Sequence, residues 1–303
     1  MSAETVVRLR RGDVEVAVAP RLGGRTMSMR FGGHEFLWRN PALIGAALEP
    51  LSDPVAPRAG AGFADWQNWG GDKTWPAPQG WSGGPSEWPG PPDPVLDAGA
   101  YLVLEHTPSR VVVESGTDPR TGLCIRRDVG IDRDGSVVVT STLTNKSSSR
   151  TSWAAWGVAQ LAFESTDVDT REAYVRVSSS GDHDPVTLFA PLGRIRWVRE
   201  DGAIRVPFAD VVGKIGFPDA TGEVLLRRRG HPGLKLTFAV EPTAAYPDGC
   251  PFQLWMQTIH PDPLPGLEGL STTARLVEFE PTSRVADLAP GAEVRLGCAW
   301  TIL

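Results

Sequence analysis

Leu234-Lys235-Leu236-Thr237-Phe238-Ala239-Val240 is the stretch on which the fold class turns. Its bulky apolar residues fall at every second position, which is the period of a β-strand with one face buried and not that of a helix. The same alternation returns along the chain. Val14, Val16 and Val18 are spaced by Glu15 and Ala17, and Phe252, Leu254 and Met256 by Gln253, Trp255 and Gln257. Val294, Leu296, Cys298, Trp300 and Ile302 form the last run. Further strands are predicted at Ala100–Glu105, Arg110–Glu114, Leu123–Ile131, Ser136–Thr144, Trp153–Phe163, Tyr174–Ser178 and Arg194–Val198. Turn punctuation such as Asp134-Gly135, Asn145 and Asp248-Gly249 bounds them. Only Pro41–Leu51 reads as a helix, and it is short. Many strands joined by connections too short for crossovers predict an all-β protein with antiparallel pairing, a large sandwich. No fixed period repeats, which argues against a propeller.

Composition agrees. The 303 residues include 33 Gly and 27 Pro but are 41% hydrophobic, which suits many tight turns around a large core better than disorder. The Pro- and Gly-rich stretch from Pro76 to Pro94 contains Trp81 and Trp88, so it reads as an ordered loop and not a linker. A single domain over residues 1–303 is therefore expected. No apolar run is long enough to cross a bilayer, and Met1–Pro20 lacks the apolar core of a secretory signal. Cys124, Cys250 and Cys298 are scattered, which predicts neither a disulfide framework nor a zinc cluster and points to a reducing cytoplasm. A net charge of −6 argues against nucleic acid as a partner. Arg227-Arg228-Arg229 is read as a solvated strand end.

Five of the eleven tryptophans lie between Trp66 and Trp88. In Asp65-Trp66-Gln67-Asn68-Trp69-Gly70-Gly71-Asp72-Lys73-Thr74-Trp75-Pro76-Ala77-Pro78-Gln79-Gly80-Trp81 their spacing fits neither strand nor helix. Flat aromatic faces suit the C–H faces of a pyranose, and the interleaved Asn68, Asp72, Lys73 and Gln79 suit its hydroxyls. Gly70-Gly71 would let the backbone approach a ligand. The alternative is a Trp-rich plug at the end of the sandwich. A second constellation is Arg275-Leu276-Val277-Glu278-Phe279-Glu280-Pro281. On a strand, Glu278 and Glu280 share a face about 6–7 Å apart, able to bind hydroxyls and to supply a general base; a solvated outer face is the alternative. The five histidines do not pair at ligand spacing, so neither a metal nor a cofactor is predicted. His183, in Ser180-Gly181-Asp182-His183-Asp184, is the one best placed on a loop to act as an acid.

Taken together, several segments resemble the galactose-mutarotase-like superfamily, the aldose 1-epimerases and hexose-phosphate mutarotase relatives. Gly23-Gly24-Arg25-Thr26-Met27-Ser28-Met29 with Gly32-Gly33-His34-Glu35-Phe36-Leu37-Trp38 resembles the family's opening hairpin, and Gly70-Gly71-Asp72-Lys73-Thr74-Trp75-Pro76 its cleft loop. Glu280-Pro281 with Leu288-Ala289-Pro290-Gly291 resembles the closing stretch, and Tyr246-Pro247-Asp248-Gly249 is similar to a subgroup of relatives. The resemblance implies a β-supersandwich with a sugar cleft on one sheet, lined by Arg25, Trp75, Trp156, Gln160 and Asp248, and a small carbohydrate as ligand to a monomer or homodimer. It implies anomer interconversion with Glu280 as base, and Glu278 and Lys73 beside it. The acid histidine of relatives falls on a strand that here reads Trp153-Ala154-Ala155-Trp156-Gly157-Val158-Ala159-Gln160, and a second histidine near the glycine loop is also missing. A carbohydrate-binding protein without catalysis is therefore a second expectation. A third is a tailoring isomerase on a non-sugar cyclic hemiacetal, or a lyase on a uronate, whose carboxylate Lys73 or Arg25 would hold.

Overall fold

The computed structural model describes residues 6–54, 57, 62–80, 87–270 and 274–303. Two large antiparallel sheets face each other. The 11-stranded sheet runs, in spatial order, β1 (Val7–Arg11), β2 (Val14–Ala19), β3 (Arg25–Phe31), β5 (Asp72–Ala77), β10 (Thr151–Ala162), β19 (Leu276–Pro281), β18 (Phe252–Gln257), β15 (Val212–Phe217) and β12 (Val186–Leu192). The short strands β4 (His34–Glu35) and β20 (Ala286–Leu288) pair beside this path. The 10-stranded sheet runs β13 (Val198–Glu200), β14 (Ala203–Pro207), β11 (Tyr174–Ser179), β16 (Ala220–Arg227), β17 (Leu234–Phe238), β21 (Glu293–Ile302), β9 (Val137–Asn145), β8 (Leu123–Ile131), β7 (Arg110–Glu114) and β6 (Leu102–Thr107). The all-β antiparallel sandwich expected from the period-2 runs is what forms.

Alternation decides what meets between the sheets. From β19, Val277 and Phe279 turn inward; Phe279 packs edge-on to Phe252 of β18 at 5.7 Å and stacks on Trp300 of β21 at 6.2 Å. Each such side chain, removed from water, contributes roughly 1.5–3 kcal/mol. One charged pair also spans the gap. Arg127 of β8, fully buried, is ion-paired with Asp72 of β5 and donates to the Gly24 and Asp72 carbonyls at 2.7 and 2.9 Å. Pro76 sits within β5 opposite Ala155, and the pairing of β5 with β3 is confined to Thr26 and Asp72, so its missing N–H breaks no ladder there.

Three local expectations are corrected. Pro41–Leu51 forms turns: the Asn40 side chain caps the Ala42 N–H at 3.0 Å, and Leu48 adopts a left-handed φ of 73° that no helix accommodates. The strand expected at Arg194–Val198 is β13, Val198–Glu200. Arg228 is buried, not solvated, and donates to the Ala162 carbonyl at 2.7 Å. Strands β1, β5, β12, β14, β15, β16 and β20 are additions that the sequence does not predict, and β5 and β15 contribute to the site described next. Among the described residues no helix is long and apolar enough to cross a membrane.

Candidate functional site

The outer face of the larger sheet carries a cleft of ≈ 430 Å³ across β5, β10, β19, β18 and β15. Period 2 aims Trp75 and Ala77, Trp156, Glu278 and Glu280, Gln253, Trp255 and Gln257, and Lys214 into it. Register sets their neighbours: Trp156 stands opposite Trp75, Gln253 opposite Glu280, Trp255 opposite Glu278, and Lys214 opposite Trp255. Phe63, Trp66 and Asn68 form one rim; Asp248 and the Gly266–Leu270 loop form others.

Glu280 lies at the floor and is 1% exposed. The Trp156 indole N–H donates to its Oε2 at 2.9 Å, and the Lys214 ammonium contacts the same oxygen at 2.7 Å. Both partners sit on one oxygen, and among the described residues Oε1 has no hydrogen-bond partner. Burial pushes the Glu280 carboxyl up to about 7; the Lys214 charge opposes this and the Glu278 charge adds to it. The Lys214 ammonium also lies 4.3 Å from the centre of the Trp156 ring. Beside it, Glu278 accepts from Gln160 Nε2 at 2.5 Å.

The aromatic wall is held from behind by Asp97. One carboxylate oxygen accepts the Trp66 indole N–H at 2.9 Å, and the other accepts that of Trp75 at 2.8 Å and pairs with the Arg25 guanidinium. Trp75 and Trp156 meet edge to face at 5.3 Å, and Phe189 of β12 stacks on Trp255 at 6.0 Å. The result is a pocket with aromatic faces on several sides and carboxylates at its floor.

The structure gathers Asn68, Trp75, Gln79, Trp156, Asp248, Glu278 and Glu280 around one cleft. Others are elsewhere. Arg25 is fully buried in its pair with Asp97, and Asp72 turns between the sheets to Arg127. Gln160 is buried and reaches the site only by orienting Glu278. Lys73 lies 2% exposed beneath Trp75, its ammonium 4.7 Å from that ring and, among the described residues, without a hydrogen-bond partner. Burial lowers its pKa to about 8, against the pull of the Glu278 charge. His183 is 80% exposed in its side chain and pairs with Asp219 on a loop outside the cleft.

The tryptophan run is divided. Trp66 and Trp75 line the cleft, while Trp69 packs under the Arg25 guanidinium and Trp88 is buried in the core; Trp81 lies outside the described residues. Gly70 and Gly71 are required by the chain's own packing: a Cβ there would meet the Trp38 carbonyl at 2.3 Å or that of Thr26 at 2.5 Å. These glycines serve a close crossing of the chain on itself. Sequence reading misses Lys214, Asp97, Phe189 and the outward residues of β18. For Gln253, Trp255 and Gln257 the signal is present, as the polar half of an alternation whose apolar half reads as core.

Comparison with solved structures follows the fold. A galactose mutarotase-like protein from Lactobacillus casei superposes with a TM-score of 0.58 at 11% identity, covering 98% of this chain and 100% of that one. The Slr1438 protein from Synechocystis gives 0.60 at 9% identity, covering 98% and 95%. A galactose mutarotase related enzyme from Lactobacillus acidophilus gives 0.52 at 14%, covering 98% and 97%. These identities establish the galactose-mutarotase-like fold and nothing finer. No curated protein matches the sequence. One family profile does, over residues 5–190, a span that includes β5 and β10 but ends before Lys214, Asp248, Glu278 and Glu280. The chain belongs to that family, described as a domain of unknown function, DUF4380.

Proposed function

We propose that the cleft binds a sugar ring and interconverts its anomers, with Glu280 as the base. The observation that carries this reading is a carboxylate sealed at the floor of an aromatic pocket, with one oxygen uncommitted and a proton affinity near neutrality. A base works best when its pKa lies near the working pH. Trp66, Trp75, Trp156 and Trp255 offer faces for C–H packing; Asn68, Gln79, Asp248, Gln253 and Gln257 offer partners for hydroxyls. The similar proteins described as galactose mutarotase-like or galactose mutarotase related support carbohydrate as the ligand class.

In this reading the Glu280 carboxylate takes the proton of the anomeric hydroxyl, the C1 to ring-oxygen bond breaks, and the open chain turns before it recloses. The reading is tested by proton NMR of anomeric exchange in fresh α-glucose, α-galactose and glucose 6-phosphate. Wild type accelerates exchange, and Glu280→Gln loses about 10²–10⁴-fold of that acceleration while saturation transfer still reports bound sugar. Binding without acceleration in wild type overturns the catalytic reading and leaves a sugar-binding protein, the reading favoured by the absence of histidine from the described residues that line the cleft. For a lyase acting on a uronate, Lys73 and Arg25 are both sealed away from the cleft, and among the described residues the cation left to hold a substrate carboxylate is Lys214.

A further inference from the structure

Anomer exchange needs a proton donor as well as a base. The two oxygens involved, the anomeric hydroxyl and the ring oxygen, are carried by the same carbon, so the groups that serve them must be neighbours. Among the described residues no histidine lines the cleft, and the lining carboxylates Asp248 and Glu278 are acceptors when ionised. Among the described residues that line it, Lys214 is the one cationic side chain.

We propose that Lys214 is the acid, donating a proton to the ring oxygen while Glu280 Oε1 accepts one from the anomeric hydroxyl. This inference rests on the reading of Glu280 as base. Lys214 comes from β15, two strands away from Glu280 across β18, and its side chain is 16% exposed, enough to meet a ligand. Its ammonium is 2.7 Å from Glu280 Oε2 and rests on the Trp156 face, so it is held within one hydrogen-bond length of the base. Among the described residues it has no other polar partner, and its remaining N–H groups are free to point at a ring oxygen.

The step balances. Glu280 removes the hydroxyl proton, the O–H electron pair becomes the second bond of the aldehyde, and the C1 to ring-oxygen pair moves onto the ring oxygen. That oxygen takes the proton of Lys214. The open-chain intermediate faces a neutral carboxylic acid and a neutral amine, and closure on the other face returns both protons. Taking a proton from one partner and giving it to the other leaves the net charge of the buried pair unchanged throughout. That avoids the isolated charge that a dry site penalises.

Lys214→Arg separates proton donation from charge. Arginine keeps the ion pair and the contact with Trp156 but does not release its proton. We expect Lys214→Arg and Lys214→Met both to lose about 10²–10⁴-fold in anomeric exchange while saturation transfer shows the same sugar bound. We also expect methylammonium to restore Lys214→Ala in proportion to its concentration. Lys214→Arg running at the wild-type rate, or Lys214→Ala deaf to added amine, overturns the role of Lys214 while Glu280→Gln independently upholds or sinks the base. If wild type accelerates no exchange, both fall together. Should Lys214→Met fail to fold, Lys214→Arg, which conserves the ion pair, decides alone.

Discussion

Glu280→Gln removes a single titrating group from the floor of the cleft, and its effect on stability has a defined sign at each pH. In the folded protein the carboxyl binds its proton up to about pH 7; its ordinary value is 4.5. Between those values the native state holds a proton that the unfolded chain has released, so stability falls as pH rises through this window and levels off above it. Each tenfold difference in proton affinity is worth about 1.4 kcal/mol, so the gap between 4.5 and about 7 amounts to about 3 kcal/mol in full. Most of this, about 2–3 kcal/mol, lies between pH 5 and pH 8. The groups that face Glu280 are Lys214 from β15, Glu278 from β19 and the indole N–H of Trp156 from β10, with Gln253 of β18 opposite it in register. The amide that replaces the carboxyl cannot titrate, while the other ionising groups are common to both proteins. Urea unfolding of wild type and variant at pH 5 and pH 8 therefore reads the titration of Glu280 together with its ion-pair partner Lys214, and the wild-type advantage over the variant must shrink on going to pH 8. Parallel stability curves would refute the reasoning, because they would mean that Glu280 titrates alike folded and unfolded. A widening gap would mean that Lys214 outweighs burial and holds the carboxylate ionised.

Two further changes test what supports the cleft. Lys73→Met replaces a buried, unpartnered ammonium by an apolar chain of similar length and should raise stability at pH 7 by about 1–3 kcal/mol. Folded Lys73 gives up its proton near 8, unfolded Lys73 near 10.5, so wild type gains on the variant as pH rises through that window, and unfolding midpoints at pH 7 and pH 10 read the difference. Asp97→Asn weakens the common anchor of Trp66 and Trp75 and leaves Arg25 buried without a counter-charge; a loss of about 3–5 kcal/mol is expected, with sugar affinity falling in saturation transfer as the indoles lose their fixed orientation.

Local periodicity reveals those parts of the fold in which one strand carries its own evidence. The runs at 234–240, 252–257 and 294–302 become β17, β18 and β21 because each buries one face against the opposite sheet. β15 escapes such a reading because Gly213 and Gly216 dilute its alternation, and with it goes Lys214. The shared face of Glu278 and Glu280 needs only the period of a strand and is legible. Their partners are not, because the neighbours of β19 are set by sheet order: β10 lies on one side, and β18 followed by β15 on the other. Gly70-Gly71 shows the converse failure. A local reading assigns such glycines to a ligand, whereas the Trp38 and Thr26 carbonyls that exclude a Cβ come from elsewhere in the chain.

The absence of a histidine from β10 takes on a different meaning in this geometry. Trp156 stands on the strand where relatives are expected to carry their acid, and an indole donates a hydrogen bond but yields no proton near neutrality. Here its N–H holds Glu280 Oε2 while its ring supports the Lys214 ammonium. It fixes the Glu280 carboxylate and the Lys214 ammonium against each other. Substituting a histidine there would place a second titrating group against Glu280 and remove the face on which Lys214 rests. In the proposed reaction a proton donor absent from β10 has to come from a strand within reach of the same carboxylate, and Lys214 of β15, its ammonium 2.7 Å from Glu280, is so placed. Trp156, Lys214 and Glu280 thus form one contiguous group at the cleft floor, in which the side chain on β10 holds the other two against each other.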